Sequence, residues 1–381
     1  MVEGRVYLDH AATTAVRPSA LEAYVDAART LGNSSSQHAS GRRVRGVFDD
    51  AVAEIADVLG VPRSWIIMTS GGTEADNLAL RGVGGRVVGL STDHPAVVDT
   101  VRALGGDLAP VDSDGRLDLA ETEKLLAPAN GREAATLVSA ALVNNETGVI
   151  QDLDALAELA SRYGTFVHTD AVQAMAHMAP PDFSKVPLCS ITGHKIGAPV
   201  GAGLLVADPS VKLSAFGTGG GQQRGIRSGT LDAPHAAALA VALRESAEER
   251  AKRGAERDEL AELLRENIRR IDPRAFFTAD NAPRSPHVIH VCFEGADQDA
   301  ILFLLDQEGI DCSAGSACHA GVTQASHVLS AMGYSDVLMR GAIRFSLGWT
   351  STRSDVEALV RVLPGVLEKA RAVASNGGKL S

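Results

Sequence analysis

A chain of 381 residues exceeds what one small core needs, and ordinary domain sizes divide it into two or three compact units. Hydrophobic residues make up 45% and charged residues 22%, without a low-complexity tract, which is the profile of a soluble globular protein of enzyme size and argues against a largely disordered chain. The net charge of -11 argues against a surface that neutralises phosphate backbones, so no direct nucleic-acid partner is expected.

The opening "MVEGRVYLDHAATT" lacks the basic start, apolar stretch and cleavage site of a signal peptide. No window reaches ~18 uninterrupted apolar residues, so a cytoplasmic protein without a membrane partner is expected. The basic cluster "GRRVRG" reads as the solvent face of a helix. From about residue 18 to 245, runs rich in valine and isoleucine alternate with helical patterns, as buried parallel strands do. These runs are "WIIMT" (65–69), "RVVGLS" (86–91), "TLVSAALV" (136–143), "TFVHTD" (165–170), "PLCSIT" (187–192) and "GLLVA" (203–207). Between them, segments such as "DLDALAELASRYG" carry apolar residues at helical spacing and stop at glycine, which predicts βαβ units.

The texture changes after "RSGTLDAPHAAALAVALRESAEERAKRGAERDELAELLRENIRRID", a long amphipathic stretch that predicts a helix crossing from one domain to the next. Beyond it "HVIHVCFEG", "GIDCSAG" and "GAIRFSLG" read as strands, with helices over "ADQDAILFLLDQEG" and "SDVEALVRVLPGVLEKARAVA", giving a smaller α+β unit. The tail "SNGGKLS" is expected to fray. Cys189, Cys292, Cys312 and Cys318 show no paired CxxC spacing, so no metal site is expected and at least one can serve as a free thiol.

Open α/β sheets bind ligands where strands end and helices begin. In "MTSGGTEADNLAL" the residues Gly71, Gly72 and Thr73 offer free backbone N–H groups to an anion, unless the segment is an ordinary turn with Thr73 as cap. His94 in "STDHPAVVDT" starts a helix after a strand and reads equally as a structural residue. "LVNNETG" brings Asn144, Asn145 and Glu146 past a strand, where turn chemistry also explains them. Asp170 ends an apolar strand in "FVHTDAVQA", with Gln173 three residues on; it either caps a helix or holds a protonated ring nitrogen. Lys195 in "SITGHKIGAPVGAG" joins these into one idea. An amine beside an anion cradle, a ring-nitrogen carboxylate and a stacking side chain is what pyridoxal 5'-phosphate requires, with Thr192 and His194 as further phosphate donors. Arg344 in "IRFSLG" alternates outward from its strand, and its planar fork suits an amino-acid carboxylate or a surface ion pair. Cys318 sits in "CSAGSACHAGVTQASHVLSAMG", a small-residue run expected to form a mobile loop before a helix near Ser326, whereas the other three cysteines read as small buried hydrophobes.

Taken together, "YLDHAATT", "GNSSSQHASG", "TSGGTEADNLAL", "DHPAVVDT", "VNNETG", "HTDAVQA", "GHK", "GGGQQRGIRSGT", "GSAC" and "IRFSLG" resemble the NifS/IscS-type cysteine desulfurases, in the class V aminotransferase group of fold-type I pyridoxal-phosphate enzymes. The resemblance implies an α/β large domain over 15–245 with a mostly parallel seven-stranded sheet flanked by helices, and a small α+β domain from 1–14 and 246–381 carrying the cysteine loop. It implies Lys195 as the residue joined to the cofactor, His94 stacked on the ring, and Asn145 near both the ring hydroxyl and the substrate carboxylate held by Arg344. The same resemblance implies that Thr230 of "RSGT" reaches the phosphate held by the other subunit of a homodimer, and that Cys318 becomes a persulfide passed to a sulfur-acceptor protein. Iron–sulfur assembly and tRNA or other thiolation are the acceptor pathways it leaves open. A class V aminotransferase or selenocysteine lyase is the alternative, and transamination needs no thiol at 318. The chain departs from the IscS pattern at Thr218, Gln222, Gln223 and His319.

Overall fold

The computed structural model describes residues 4–129, 131–215, 217–315 and 326–375. In chain order the strands are β1 (Val6–Tyr7), β2 (Ile66–Thr69), β3 (Val87–Leu90), β4 (Asp107–Ala109), β5 (Leu137–Ser139), β6 (Phe166–Asp170), β7 (Leu188–Thr192), β8 (Gly203–Ala207), β9 (Ala275–Phe277), β10 (Val288–Phe293), β11 (Ile310–Asp311) and β12 (Ala342–Ser346). Seven of them form one sheet in the order β2-β8-β7-β6-β5-β3-β4. Four neighbouring pairs, from β7 through β6, β5 and β3 to β4, are parallel, and β8 runs antiparallel to both β2 and β7.

Every residue of β2, β3, β7 and β8 is buried, which is why these runs lack polar alternation. Their side chains nevertheless alternate between two cores, because successive Cβ atoms point to opposite faces. Ile66, Met68, Val88 and Leu90 pack into the larger cluster, and Ile67 and Val87 into the one across the sheet. Helices Pro18–Ala28 and Ala39–Leu59 pack on the long helix Ala233–Ile271, while Gly72–Gly82 covers β7 and β8. On Ala39–Leu59 the arginines of "GRRVRG" face solvent, as the sequence predicts, and Arg45 pairs with Asp49 at 2.8 Å.

Ala233–Ile271 runs for 39 residues, joining the larger core through Leu239 and Leu243 and a separate core through Ala261, Leu264 and Ile268. That separate core is closed by the antiparallel sheet β12-β10-β9, the parallel pair β1-β11, and helices Gln298–Gln307 and Arg353–Ser375. Since β1 pairs with β11, the N-terminal strand returns across the chain to this second core. Among the described residues no helix is long and apolar enough to cross a membrane.

The sheet's parallel strands aim their C-terminal ends one way, and Asp170, Thr192 and the segment leading to His94 follow from that direction. Here the chain leaves buried strands and must supply polar groups to its own freed backbone, which concentrates side-chain chemistry on one rim.

Candidate active site

At the end of β2 the chain passes Ser70 and Gly71 into a helix that begins at Gly72 without a side-chain cap, so Thr73 does not fill the capping role. The crossing is tight. A Cβ on Gly203 would lie 2.5 Å from the Gly71 Cα, and one on Gly72 would lie 2.8 Å from Val172 Cγ2. Glycine therefore lets the backbone N–H groups of the first turn sit directly at the cavity wall, as an anion cradle requires.

Lys195 closes a short 3-10 turn, Gly193–Lys195, straight after β7. Its Nζ donates to the carbonyls of Ala11 and Ala12, and Gln173 Nε2 donates to the same Ala11 carbonyl at 2.8 Å. Burial, helped by the Arg344 charge, pulls the lysine from 10.5 down to about 8. Asp170 is buried at the end of β6, and its Oδ1 accepts the Val172 N–H at 2.8 Å. The chain turns after Asp170 without forming a helix, so the helix-cap alternative fails; burial raises its carboxyl above the usual carboxylate range.

His94 does start the helix Pro95–Ala103, its Nδ1 accepting the Ala96 N–H at 3.1 Å. The structural role thus fixes the ring that faces the cavity, and burial lowers its pKa, which favours the uncharged ring. His194, held by Thr13 Oγ1 at 3.2 Å, is lowered by burial to about 4. Thr192 Oγ1 donates to the Ala202 carbonyl at 3.4 Å.

Arg344 marks the opposite end. Rather than pointing outward to solvent it is 4% exposed, with Nη2 on Asp9 Oδ1 at 2.8 Å, Nη1 on the Asn145 carbonyl at 2.8 Å, and a buried Nε without a partner. Asn145 belongs to a turn fixed by Asn144, whose Oδ1 accepts the N–H groups of Glu146 and Thr147, each at 2.9 Å. Gly72, Thr73, His94, Asn145, Asp170, Gln173, Thr192, His194, Lys195 and Arg344 all line one cavity of about 560 Å³.

Thr230 does not join them; it is exposed and outside the cavity wall. Cys318 and His319 lie outside the described residues. Burial pushes the thiols of Cys189 and Cys312 up, and that of Cys292 up to about 12, so none of these three is a ready thiolate. Gln223 clamps the backbone of β2, accepting from Met68 N at 2.6 Å and donating to Met68 O at 2.9 Å. Gln222 Oε1 accepts the Gly229 N–H at 2.9 Å, and Thr218 is exposed.

Glu146, named in the sequence beside Asn145, lines the cavity too, as do Asp76, Ser313 and His327, which escaped the sequence reading. For Asp76 a signal existed, since it lies three residues after Thr73 on one helical face. Its carboxyl, held beneath the cradle, is raised well above the usual range by burial and by Asp170. Glu146 was visible only as turn chemistry, and Ser313 reaches the wall through a bridge to Arg344 that no local pattern announces.

The family model for class-V aminotransferases matches residues 6–359. An IscS-like cysteine desulfurase from Mycobacterium tuberculosis is 39% identical, over 97% of this chain and 98% of the relative. Among solved structures, the NifS-like protein from Rickettsia africae superposes with a TM-score of 0.87 at 27% identity, over 96% of this chain and 99% of that one. A structure of SspA in complex with cysteine superposes with a TM-score of 0.76 at 27% identity, over 90% and 98%.

Proposed function

The chain belongs to the class-V aminotransferase family, among relatives that are NifS/IscS-type cysteine desulfurases, and we propose that it takes the sulfur of L-cysteine, yielding L-alanine and a persulfide on Cys318 for an acceptor protein. One observation carries the reading: a single cavity gathers the lowered amine of Lys195, the buried carboxyl of Asp170, the ring of His94, the uncapped glycine cradle and the Arg344 guanidinium. That donor set fits pyridoxal 5'-phosphate, with no room for a Cβ at the cradle and a carboxylate where a ring nitrogen needs a counter-charge. When bound, the cofactor supplies an electron sink for the pairs released at the substrate's α- and β-carbons.

The chain's own residues do the rest. Gly72, Thr73, Thr192 and His194 would hold the phosphate, and the exposed Thr230 would serve the phosphate of a partner subunit in a homodimer. Asp170 would keep the ring nitrogen protonated, and His94, Gln173 and Asn145, which share the cavity wall with it, would hold the ring. Arg344 holds the substrate carboxylate with a charge-assisted fork. Lys195 would be the base that takes the substrate's α-proton and returns a proton to carbon; an amine near 8 is matched to that task. Cys318 as thiolate attacks the substrate sulfur: the S–S bond forms, the Cβ–S bond breaks, and its electron pair leaves with carbon, which is protonated to alanine. In domain terms, 15–245 holds the cofactor, and 1–14 with 246–381 brings in Arg344 and Cys318.

Cys318→Ser tests the reading. Alanine formation from cysteine should fall by at least about a hundredfold while the protein still binds cysteine, because a nucleophile is removed and the binding groups stay. Turnover at the parent rate would return the chain to transamination or a thiol-independent lyase.

A further inference from the structure

Glu146 is a buried carboxylate in the cavity wall to which none of the steps above gives work; it is 2% exposed. Burying such a group costs free energy unless hydrogen bonds replace the lost water. The partner is specific: Ser326 Oγ donates to Glu146 Oε2 at 2.5 Å, and the same Oγ accepts the Leu329 N–H at 3.1 Å to cap the helix His327–Ala331. On its other side the glutamate packs against Gly315, where a Cβ would come within 3.4 Å of Cγ and 3.5 Å of Oε2.

Gly315 and Ser326 border residues 316–325, the stretch that carries Cys318 in the sequence. Both are also tied to the substrate end. Gly315 donates its N–H to Ser313 Oγ at 3.0 Å, and Ser313 exchanges backbone hydrogen bonds with Arg344 at 2.6 and 3.2 Å. The backbone of Glu146 belongs to the Asn144–Thr147 turn, whose Asn145 carbonyl holds Arg344 Nη1. One short turn therefore holds the guanidinium with a carbonyl and Ser326 with a side chain, and Gly315 lies beside that side chain. Burial raises the Glu146 carboxyl, and the Ser326 hydrogen bond opposes that rise.

We propose that Glu146 is a positioning residue that holds Ser326, and the neighbouring Gly315, relative to the Arg344 clamp, and that the thiol-dependent step of the reaction relies on it. The inference rests on the desulfurase reading. It asks for an acceptor oxygen at this place and no charge, so glutamine should serve where alanine fails.

The test uses the holoenzyme and two reactions. Exchange of the α-proton of L-alanine in heavy water needs Lys195 and Arg344 and no thiol, whereas alanine formation from cysteine needs all three. Glu146→Ala should slow alanine formation by at least about tenfold and leave α-proton exchange within about threefold, the loss of one buried hydrogen bond to a carboxyl acting on one step only. Glu146→Gln should restore alanine formation to within about threefold, and Ser326→Ala, which deletes the donor instead, should slow it in the same sense. Parallel loss of both reactions in Glu146→Ala, a glutamine variant as slow as the alanine one, or full activity in all three variants overturns the proposal. A parent enzyme that exchanges alanine's proton yet forms no alanine from cysteine overturns the desulfurase reading, and this proposal with it.

Discussion

The two ends of the cavity are assembled from different kinds of information. At the cradle end, Asp170 and Thr192 end strands of one sheet and Gly72, Thr73, His94 and Lys195 follow its strands within a few residues, so the direction of the strands delivers them together. At the clamp end, Asp9, Asn145, Ser313 and Arg344 arrive from four separate segments and meet only because β1 and β12 fold back beside the larger sheet. The cradle thus tolerates changes far along the chain, while the clamp depends on long-range closure. A change at one end should leave the other nearly untouched.

Arg344→Lys should produce the largest split. Lysine keeps the charge but replaces the fork by a single point, and it cannot reach Asp9 and the Asn145 carbonyl together while also holding a carboxylate. KM for cysteine should rise by about thirtyfold, roughly the cost of weakening one buried charge-assisted pair, with kcat and cofactor affinity changed by less than about threefold. Steady-state kinetics and a cofactor titration check this, and a loosened cofactor would show that the two ends are not separate.

Gly203→Ala attacks the other end with a smaller effect. The new Cβ would meet the Gly71 backbone at 2.5 to 2.8 Å, so β8 or the cradle turn must shift by several tenths of an ångström. Overpacking of this kind costs about 1–3 kcal/mol, and we expect about tenfold weaker binding of pyridoxal 5'-phosphate with KM for cysteine unchanged in the fully loaded enzyme. Equal weakening of unphosphorylated pyridoxal would place the strain away from the phosphate cradle.

Most of the cradle end was legible in the sequence because its logic is local: an apolar run, then glycine, threonine or aspartate at a strand end. Six of the seven strands of the large sheet announced themselves in the same way. β4 did not, since its three residues "DLA" sit at the sheet edge and two of them are half-buried, too short and too mixed for any period to show. The reversed direction of β8 was equally silent, because a strand buried on both faces reads alike in either sense. Arg344 was legible as a residue and its surroundings were not: Asp9 lies 335 positions away, and no spacing rule connects them. Glu146 was read as part of a turn, which is true of its backbone; its side chain acquires meaning only from Ser326, 180 positions on.

Lys195 is the one group on which both ends act, and its titration gives the finest measure of the comparison. Burial and the Arg344 charge pull its amine down, while Asp9 and Asp170 push it up, leaving it at about 8. Only the neutral amine can attack an aldehyde, so the rate at which the cofactor-free protein joins pyridoxal 5'-phosphate should follow the neutral fraction. That fraction is about one-tenth at pH 7, one-half at pH 8 and nine-tenths at pH 9, which gives a rise of about fivefold over the first unit and less than twofold over the second. An amine at its ordinary value of 10.5 would instead gain about tenfold in each of those units. Stopped-flow absorbance at constant ionic strength separates the two. Since Asp9 favours the charged amine, Asp9→Asn should move the midpoint down and lift the rate at pH 7, whereas Gly203→Ala, which changes no charge, should leave the midpoint in place. A midpoint that ignores Asp9 would mean that the clamp end does not reach Lys195 electrostatically and that the amine is set by burial at the cradle end alone.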